Sequence, residues 1–281
     1  MNSLVSHETV CELVILSMLI YEYGKNFSLK VDKNTKTVGN RLNGIITWTI
    51  RLDAIKHLLK SSPFGEVYSF YSVISTDLQV GITVSEINRR ITVIFRGSES
   101  KTDWIYSLNI FKHRLHDDVY VNRRFYKQLH DDDTYDKLKN DVISLICEFP
   151  DYDIFVTGHS LGGALSTLFG YELSRDIHEL KKKITVVSFA SPRVGNLAFR
   201  KSHDLQMNLA HLRVTNARDI ITALPMINFK HVGTSLSLSD TSLKFYENYS
   251  YNWCKYSLCT CNKVSEHNIE LYLYRLIKHK W

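Results

Sequence analysis

The feature that most constrains the fold of this chain is a short strand followed by a glycine-rich turn and a helix. Three strand-forming residues, Ile154 to Val156, precede the turn, and residues 164–173 are rich in helix formers with apolar residues at helical spacing. Inside the turn, Ser160 stands between Gly158 and Gly162. Glycine at both positions indicates a turn so sharp that a Cβ would collide with neighbouring backbone. The pattern predicts a strained Ser160 whose hydroxyl faces solvent beside the first amides of the helix.

Composition indicates an ordinary globular protein without long linkers. The 281 residues are 44% hydrophobic and 23% charged with four prolines, so we predict one domain spanning residues 1–281. The formal net charge of +6 is spread along the chain, apart from a short cluster at residues 181–183. A basic stripe with interleaved aromatic residues is missing, so no nucleic-acid partner is expected. A solvated surface is the favoured interpretation of the charge, and a face that attracts anionic lipid is the alternative.

Cysteine usage favours reduced thiols over a disulfide framework, because the count of five is odd. Cys254, Cys259 and Cys261 lie near His267 and form a group of four potential zinc ligands. Their spacing is not a common zinc pattern, so no metal is expected. A disulfide within this group is the alternative in an oxidising compartment.

Buried strands alternate with helices along the chain, which predicts a mainly parallel sheet covered by helices. Predicted strands lie at residues 69–74, 78–85, 90–95, 184–189, 212–214 and 232–238, and a long helical pattern runs from Val119 to Phe149 with Asp131–Asp133 as a break or cap. Residues Val10 to Tyr23 are strongly apolar but fewer than the roughly 20 needed to span a bilayer. We predict a buried core helix there, with an uncleaved membrane anchor as the alternative.

A serine hydroxyl becomes a nucleophile only when a base accepts its proton and a carboxylate orients that base. The Gly-x-Ser-x-Gly turn fits the nucleophile elbow of α/β-hydrolases, where an acid and then a histidine follow the serine in the chain. Asp219 follows the strand around Val214 and precedes a loop, whereas Asp204 lies inside a predicted helix. We therefore predict Asp219 as the acid.

Three histidines follow this acid, and their positions separate them. His279 is at the terminus, His231 starts an apparent strand, and His267 lies in the loop ahead of the C-terminal helix, where the base is expected. We therefore predict His267 as the base. His159 cannot easily turn toward its own neighbour Ser160, so we interpret it as structural.

Acyl transfer also needs donors for the developing oxyanion. The amide of Leu161, next after the serine, is one donor by geometry. The second is expected from the loop after an earlier strand, where Ser98 offers an amide and a hydroxyl.

Several separate segments agree, in order, with one known family. They are Val93–Ser98 with Asp103–Trp104 after it, Val156–Ala164, Ser188–Asn196, Arg213–Pro225 and His231–Thr234. Through these segments the chain resembles the class 3 lipases, also called fungal-type lipases, over roughly residues 92 to 267. Agreement at several spaced sites is far more specific than the Gly-x-Ser-x-Gly turn by itself.

The resemblance implies an α/β-hydrolase fold, with a mainly parallel central sheet covered by helices and a short helical lid at about residues 99–112. It implies a nucleophile, an acid, a base and two oxyanion donors at Ser160, Asp219, His267, Ser98 and Leu161. Family members hydrolyse acyl esters of glycerides, phospholipids or galactolipids without a metal, and no cofactor is expected. The expected activity is therefore that of a serine carboxylester hydrolase, a triacylglycerol lipase or a phospholipase A-like enzyme.

The sequence departs from the family pattern at two places. Where the family usually has V-H-x-G-F, residues 121–125 are V-N-R-R-F, and the two arginines are expected to alter the rim of the cleft. The usual Asp before the base is Glu266, and the usual Tyr three residues after it is Glu270, with Tyr272 two further on.

The predicted lid is amphipathic, which favours contact with lipid. Trp104, Ile105, Leu108, Ile110 and Phe111 alternate with polar residues. A lid that opens at a lipid surface predicts peripheral contact with membranes, whereas a packed surface helix is the alternative. No signal peptide and no transmembrane segment is evident, so a cytoplasmic location is expected.

Two rival functions share this fold. A catalytically silent lipid-surface binding protein is disfavoured because all three predicted catalytic side chains are present. An esterase for soluble aryl or short-chain esters keeps the chemistry and changes only the substrate.

Overall fold

The computed structural model describes residues 4–23, 65–98, 111–180, 182–246 and 264–281. Within those ranges the α-helices are α1 (His7–Tyr23), α2 (Arg123–His130), α3 (Thr134–Glu148), α4 (Leu161–Asp176), α5 (Leu197–Asp204) and α6 (Ile269–Lys278). The strands are β1 (Glu66–Val73), β2 (Leu78–Ser85), β3 (Arg90–Phe95), β4 (Lys112–His116), β5 (Val119–Asn122), β6 (Asp153–His159), β7 (Ile184–Phe189), β8 (Leu209–Asn216), β9 (Thr234–Leu238) and β10 (Leu243–Tyr246).

A central sheet of eight described strands has the order β1-β2-β3-β6-β7-β8-β9-β10. Strands β3, β6, β7, β8 and β9 are parallel, and β1, β2 and β10 are antiparallel to their neighbours. Every residue of β3 and β7 is buried, as expected where helices cover both faces of a parallel sheet. The predicted mainly parallel, helix-covered sheet is therefore confirmed.

Two helical layers cover the sheet, and each has its own cluster of buried residues. On one face α2, α3 and α4 pack against residues such as Val93 and Phe95 of β3. On the other face α1 and α6 pack against residues such as Val187 of β7 and Leu212 of β8. The carboxyl ends of the parallel strands meet at one edge between these layers, so loops that are far apart in the chain come together there.

The apolar N-terminal segment is a buried core helix, as predicted. Residues 10–20 of α1 are all buried, including the acidic Glu12. The Glu12 carboxylate accepts a 2.8 Å hydrogen bond from the guanidinium of Arg90 in β3, and this pairing accounts for the buried charge. Among the helices that the structure describes, none combines the length and apolar character needed to cross a membrane.

The prediction of one helical pattern from Val119 to Phe149 is wrong at its start. Residues Val119–Asn122 form β5, which pairs with β4 in a separate two-stranded sheet. The β-branched side chains of Val119 and Val121 are buried in the core, and strand pairing overrides the helical spacing that continues after them. The predicted break at Asp131–Asp133 is confirmed, because Asp132 and Asp133 have φ angles of 54° and 53°.

Candidate active site

The turn around Ser160 is as tight as its glycines predict. Strand β6 ends at His159, α4 begins at Leu161, and Ser160 between them has φ 61° and ψ −123°. A Cβ on Gly158 would lie 2.7 Å from the carbonyl oxygen of residue 95 in β3, and a Cβ on Gly162 would collide with the same oxygen. Only glycine fits at both positions, and the strain predicted for Ser160 is confirmed.

The hydroxyl of Ser160 lies against a histidine instead of facing open solvent. Ser160 is only 3% exposed, so the predicted orientation of its hydroxyl toward solvent is wrong. The Ser160 Oγ lies 2.7 Å from Nε2 of His267, whose imidazole occupies space beside the turn. The backbone N–H of Ser160 donates to the carbonyl of Phe189 at the end of β7, which fixes the turn to the neighbouring strand (2.9 Å).

A carboxylate holds the other side of the same imidazole. Oδ2 of Asp219 lies 2.9 Å from Nδ1 of His267, so Nδ1 carries the proton and Nε2 is the acceptor that faces Ser160. Oδ1 of Asp219 accepts from the amide of Ile221 and caps a short 3-10 helix at residues 220–223 (2.9 Å). The side chain of Asp219 is fully buried. The structure thus brings together the three side chains that the sequence singled out, from three different loops.

Tyr272 is a member of the site that the sequence analysis did not assign. Its hydroxyl donates to Oδ2 of Asp219 (2.7 Å) and accepts from the backbone amide of Asn216 (2.9 Å). Burial and then the negative charge of Asp219 raise the pKa of Tyr272 well above its ordinary value, so the hydroxyl keeps its proton and donates. The sequence contained a signal for this role. Glutamate replaces the tyrosine that the family usually has at position 270, and Tyr272 lies two residues further on, on the buried face of α6.

His159 holds the backbone of the histidine loop, in agreement with its interpretation as a structural residue. Its Nε2 lies 3.0 Å from the carbonyl oxygen of His267, so Nε2 is the donor. Its Nδ1 therefore accepts from the hydroxyl of Tyr21 in α1, at 3.1 Å. This chain of hydrogen bonds links the first helix of the molecule to the loop that carries His267.

Glu266, which departs from the family pattern, anchors the same loop from the other side. Its carboxylate accepts from the guanidinium of Arg275, which also donates to Asp240. The carbonyl of Glu266 accepts from the side-chain amide of Asn216 (2.8 Å). The Arg275 side chain is 4% exposed, so this ion pair is largely shielded from solvent. A longer acidic side chain therefore still fixes the loop to α6.

The two residues proposed as oxyanion donors flank the serine turn. Leu161 is the first residue of α4 and is buried. Ser98 is half-buried and follows Gly97, where a Cβ would lie 2.6 Å from the carbonyl oxygen of His159. The segment that carries Ser98 therefore runs directly beside the end of β6. Residues 99–110 of the predicted lid lie outside the described residues, Phe111 directly precedes β4, and Lys112 is the first residue of β4.

The other candidate residues lie elsewhere. His231 contacts the carbonyl of Thr222 through Nε2 at 2.6 Å, and burial together with Arg213 and Arg193 lowers its pKa well below the ordinary value. His279 contacts a carbonyl near β9, and Asp204 lies in α5 as predicted. Cys254, Cys259 and Cys261 lie outside the described residues, and no group of three or more His, Cys, Asp or Glu in the described ranges is placed to hold a metal.

Comparison with known proteins finds one matching family and several relatives. Residues 92–229 match the family described as Lipase (class 3). A lipase of Caenorhabditis elegans, ZK262.3, is 33% identical over 147 residues, which are 51% of this chain and 40% of that protein. Phospholipase A1-II 3 of Oryza sativa is 27% identical over 221 residues, which are 69% of this chain and 50% of that protein. The chain spans about half the length of the curated relatives that it matches.

The fold itself is shared with a solved lipase over nearly the whole chain. The triacylglyceride lipase of Rhizomucor miehei superposes with a TM-score of 0.72 at 20% identity, covering 92% of this chain and 91% of that one. This likeness confirms the expected α/β-hydrolase fold.

Proposed function

We propose that this chain, whose residues 92–229 match the class 3 lipase family, is a serine carboxylester hydrolase that cleaves acyl esters of lipids. The observation that carries the proposal is the continuous chain of hydrogen bonds from Ser160 through His267 to Asp219, beside a strained turn at the start of a helix. A buried carboxylate behind a histidine that contacts a serine hydroxyl is the arrangement required for a serine nucleophile.

The reaction proceeds by acyl transfer in two halves. Ser160 Oγ attacks the ester carbonyl carbon while His267 Nε2 accepts the hydroxyl proton, and Asp219 stabilises the resulting imidazolium. The carbonyl electron pair moves to oxygen, where the amide of Leu161 and the amide and hydroxyl of Ser98 donate to it. The electron pair then returns, the bond to the alcohol breaks, and His267 gives its proton to the leaving oxygen. Water repeats the sequence on the acyl-enzyme and releases the fatty acid.

The organisation of the whole chain belongs to the same proposal. Residues 1–281 form one domain, and the segment at about 99–112 is a lid over Ser160 that brings the protein into peripheral contact with lipid surfaces. We place the protein in the cytoplasm. Imaging of a fluorescent fusion tests the location, and secretion of the protein would contradict it.

The decisive experiment measures both covalent reactivity and turnover. A fluorophosphonate probe is expected to label the protein at Ser160, with loss of labelling in Ser160→Ala and unchanged labelling in the control Ser166→Ala, which is buried inside α4. Headgroup-varied lipids and a soluble p-nitrophenyl ester are then compared as substrates. Absence of labelling would favour a silent lipid-binding protein, and equal rates on dissolved and aggregated esters would favour an esterase for soluble substrates.

A further inference from the structure

Apolar and basic side chains are exposed together where three segments meet beside the candidate active site. The backbone amide of Arg123, at the start of α2, donates to the carbonyl of Phe111 (2.9 Å). The ammonium group of Lys112 lies 5.3 Å from the centroid of the Phe229 ring. The start of β4, the start of α2 and the loop around Phe229 are therefore neighbours on one surface.

The loop after β7 joins these segments from the centre. Gly195 forms an antiparallel bridge to Val121 of β5 and another to Lys230, whose amide donates to the Gly195 carbonyl (2.7 Å). The loops after β7 and β8 both leave the carboxyl edge of the sheet, which is the edge that carries Ser160. The surface is therefore continuous with the edge at which the candidate active site lies.

The basic rim, as we name this surface, consists of Phe111, Lys112, Arg123, Met226, Ile227 and Lys230. The apolar members are 61%, 48% and 66% exposed for Phe111, Met226 and Ile227. Arg123 and Lys230 are exposed, and Lys112 is half-buried. Asp117 and Asp118, the acidic residues of the β4–β5 hairpin, lie in its turn, at the opposite end from Lys112. Three basic side chains and three exposed apolar side chains therefore lie on the segments that meet at this surface.

The rim is also fixed to the acid loop of the candidate active site. The backbone amide of Arg193 donates to the carbonyl of Leu224 (2.7 Å), and its guanidinium donates to the carbonyl of Pro225 (3.1 Å). These bonds hold the segment that begins at Asp219 and continues into Met226. Asp219 and the rim residue Met226 are therefore held by the same loop.

Exposure of these apolar side chains to water is unfavourable, because removing apolar surface from water lowers the free energy. At a membrane surface, apolar side chains enter the boundary between headgroups and acyl chains, while lysine and arginine remain at the level of anionic phosphates. We infer that the basic rim docks the protein on lipid surfaces that carry anionic headgroups. The inference rests on the proposed lipid hydrolysis and adds the charge class of the surface on which it takes place.

The test measures binding to vesicles with Ser160→Ala, so that the lipid is not consumed. Binding to phosphatidylcholine vesicles is compared with binding to vesicles that contain phosphatidylglycerol, by cosedimentation. Adding Arg123→Gln and Lys230→Gln is expected to weaken binding to the anionic vesicles roughly 25-fold, because each cation near such a surface contributes about fivefold. The matched control is Lys182→Gln with Lys183→Gln, which removes two charges at the opposite edge, ahead of β7, and is expected to leave binding unchanged.

An apolar substitution tests the other half of the rim. Ile227→Ser is expected to weaken binding to neutral and anionic vesicles alike. The inference would be overturned if replacing Arg123 and Lys230 weakened binding no more than replacing Lys182 and Lys183. Equal binding of the Ser160→Ala protein to both kinds of vesicle would overturn it as well.

Two further measurements keep the result interpretable. If thermal melts show that the variant with Arg123→Gln and Lys230→Gln does not fold, the salt dependence of vesicle binding by the Ser160→Ala protein tests the inference instead. Salt screening weakens binding to anionic vesicles but not to neutral ones. Salt-independent binding to anionic vesicles would then contradict the inference that the basic rim docks on anionic lipid. Hydrolysis of dissolved p-nitrophenyl butyrate by the parent protein tests the proposed function separately, without any lipid surface.

Discussion

Two serine–histidine hydrogen bonds in this molecule have different surroundings. At the carboxyl edge of the sheet, Ser160 contacts His267 at 2.7 Å, and in the interior Ser188 of β7 contacts His211 of β8 at 2.9 Å. The distances alone do not separate a reactive pair from a structural one. The two pairs are distinguished by the partner of the other ring nitrogen of each imidazole.

The far nitrogen of each ring meets a different partner. His267 faces the Asp219 carboxylate at 2.9 Å, whereas Nδ1 of His211 faces Nε2 of His203 at 3.3 Å. A carboxylate stabilises an imidazolium, and a second histidine does not. Burial is the largest cause that lowers the pKa of His211 well below its ordinary value, and the neighbouring His203 adds to it. The interior pair therefore stays neutral and ties strands together, and only the pair at the edge is arranged to accept a proton during a reaction.

Replacing each of the two histidines tests the difference between the pairs with the largest expected effect. His267→Ala is expected to lower kcat on a lipid ester by about a million-fold, because the base is lost. His211→Gln is expected to keep kcat close to that of the parent while lowering the free energy of unfolding by roughly 1–3 kcal/mol, since a buried hydrogen-bond network is disturbed. Steady-state kinetics and urea unfolding of both variants measure this, and comparable losses of kcat would show that the two pairs are not distinct.

The carboxylate is the next element to remove. Asp219→Asn keeps the shape of the side chain but removes the charge that orients and stabilises the imidazolium, so kcat is expected to fall by about ten thousand-fold. The measurement is kcat on a soluble ester, with Asp151→Asn as a control on an exposed carboxylate ahead of β6, at the opposite edge of the sheet. A loss below tenfold for Asp219→Asn would contradict its assignment as the acid.

Acid should act on the interior pair through stability. The pKa of His203 and that of His211 are both lowered, primarily by burial, while Arg213 also lowers that of His211 and Asp204 partly offsets the shift at His203. The unfolded chain then binds more protons than the folded chain below about pH 6.5, and the free energy of unfolding falls there but not above it. Between pH 7 and pH 5 we therefore expect the free energy of unfolding to fall, with the larger contribution from His211, whose pKa is lowered further.

Urea unfolding at several pH values measures this loss. His211→Gln is expected to flatten the pH dependence, and His178→Gln, which changes an exposed histidine, is expected to retain it in full. An unchanged slope in His211→Gln would show that another group is responsible.

Replacing Tyr272 changes the surroundings of the Asp219 carboxylate and has the smallest expected effect on kcat. Tyr272→Phe removes the hydroxyl that donates to Asp219 and accepts from Asn216, while the ring stays packed. A neighbouring hydrogen bond of this kind contributes about 1–2 kcal/mol, so kcat is expected to fall roughly tenfold. A residue that only stabilises the fold would lower the melting temperature without changing kcat. Tyr274→Phe, on the exposed side of the same helix, is the matched control.

Much of this arrangement could be predicted from local sequence. The glycines around Ser160 specify the turn because each excludes a Cβ, and the apolar run in α1 specifies a buried helix because no face of it is polar enough for solvent. The strand at residues 119–122 was missed for the opposite reason. Its hydrogen bonds run to β4 and to the loop at residue 194, and such long-range pairing leaves little local signal.

The sequence by itself determined which chemical groups are available: a serine on a strained turn, one acid after a later strand and one histidine ahead of the last helix. Only the tertiary structure decided how they are used. It placed Tyr272 behind Asp219, fixed the His267 loop through His159, and buried His211 beside another histidine. The physical reason is that the basicity of an imidazole depends on the charges and solvent around it, and both are set by strands and loops that are distant in the chain.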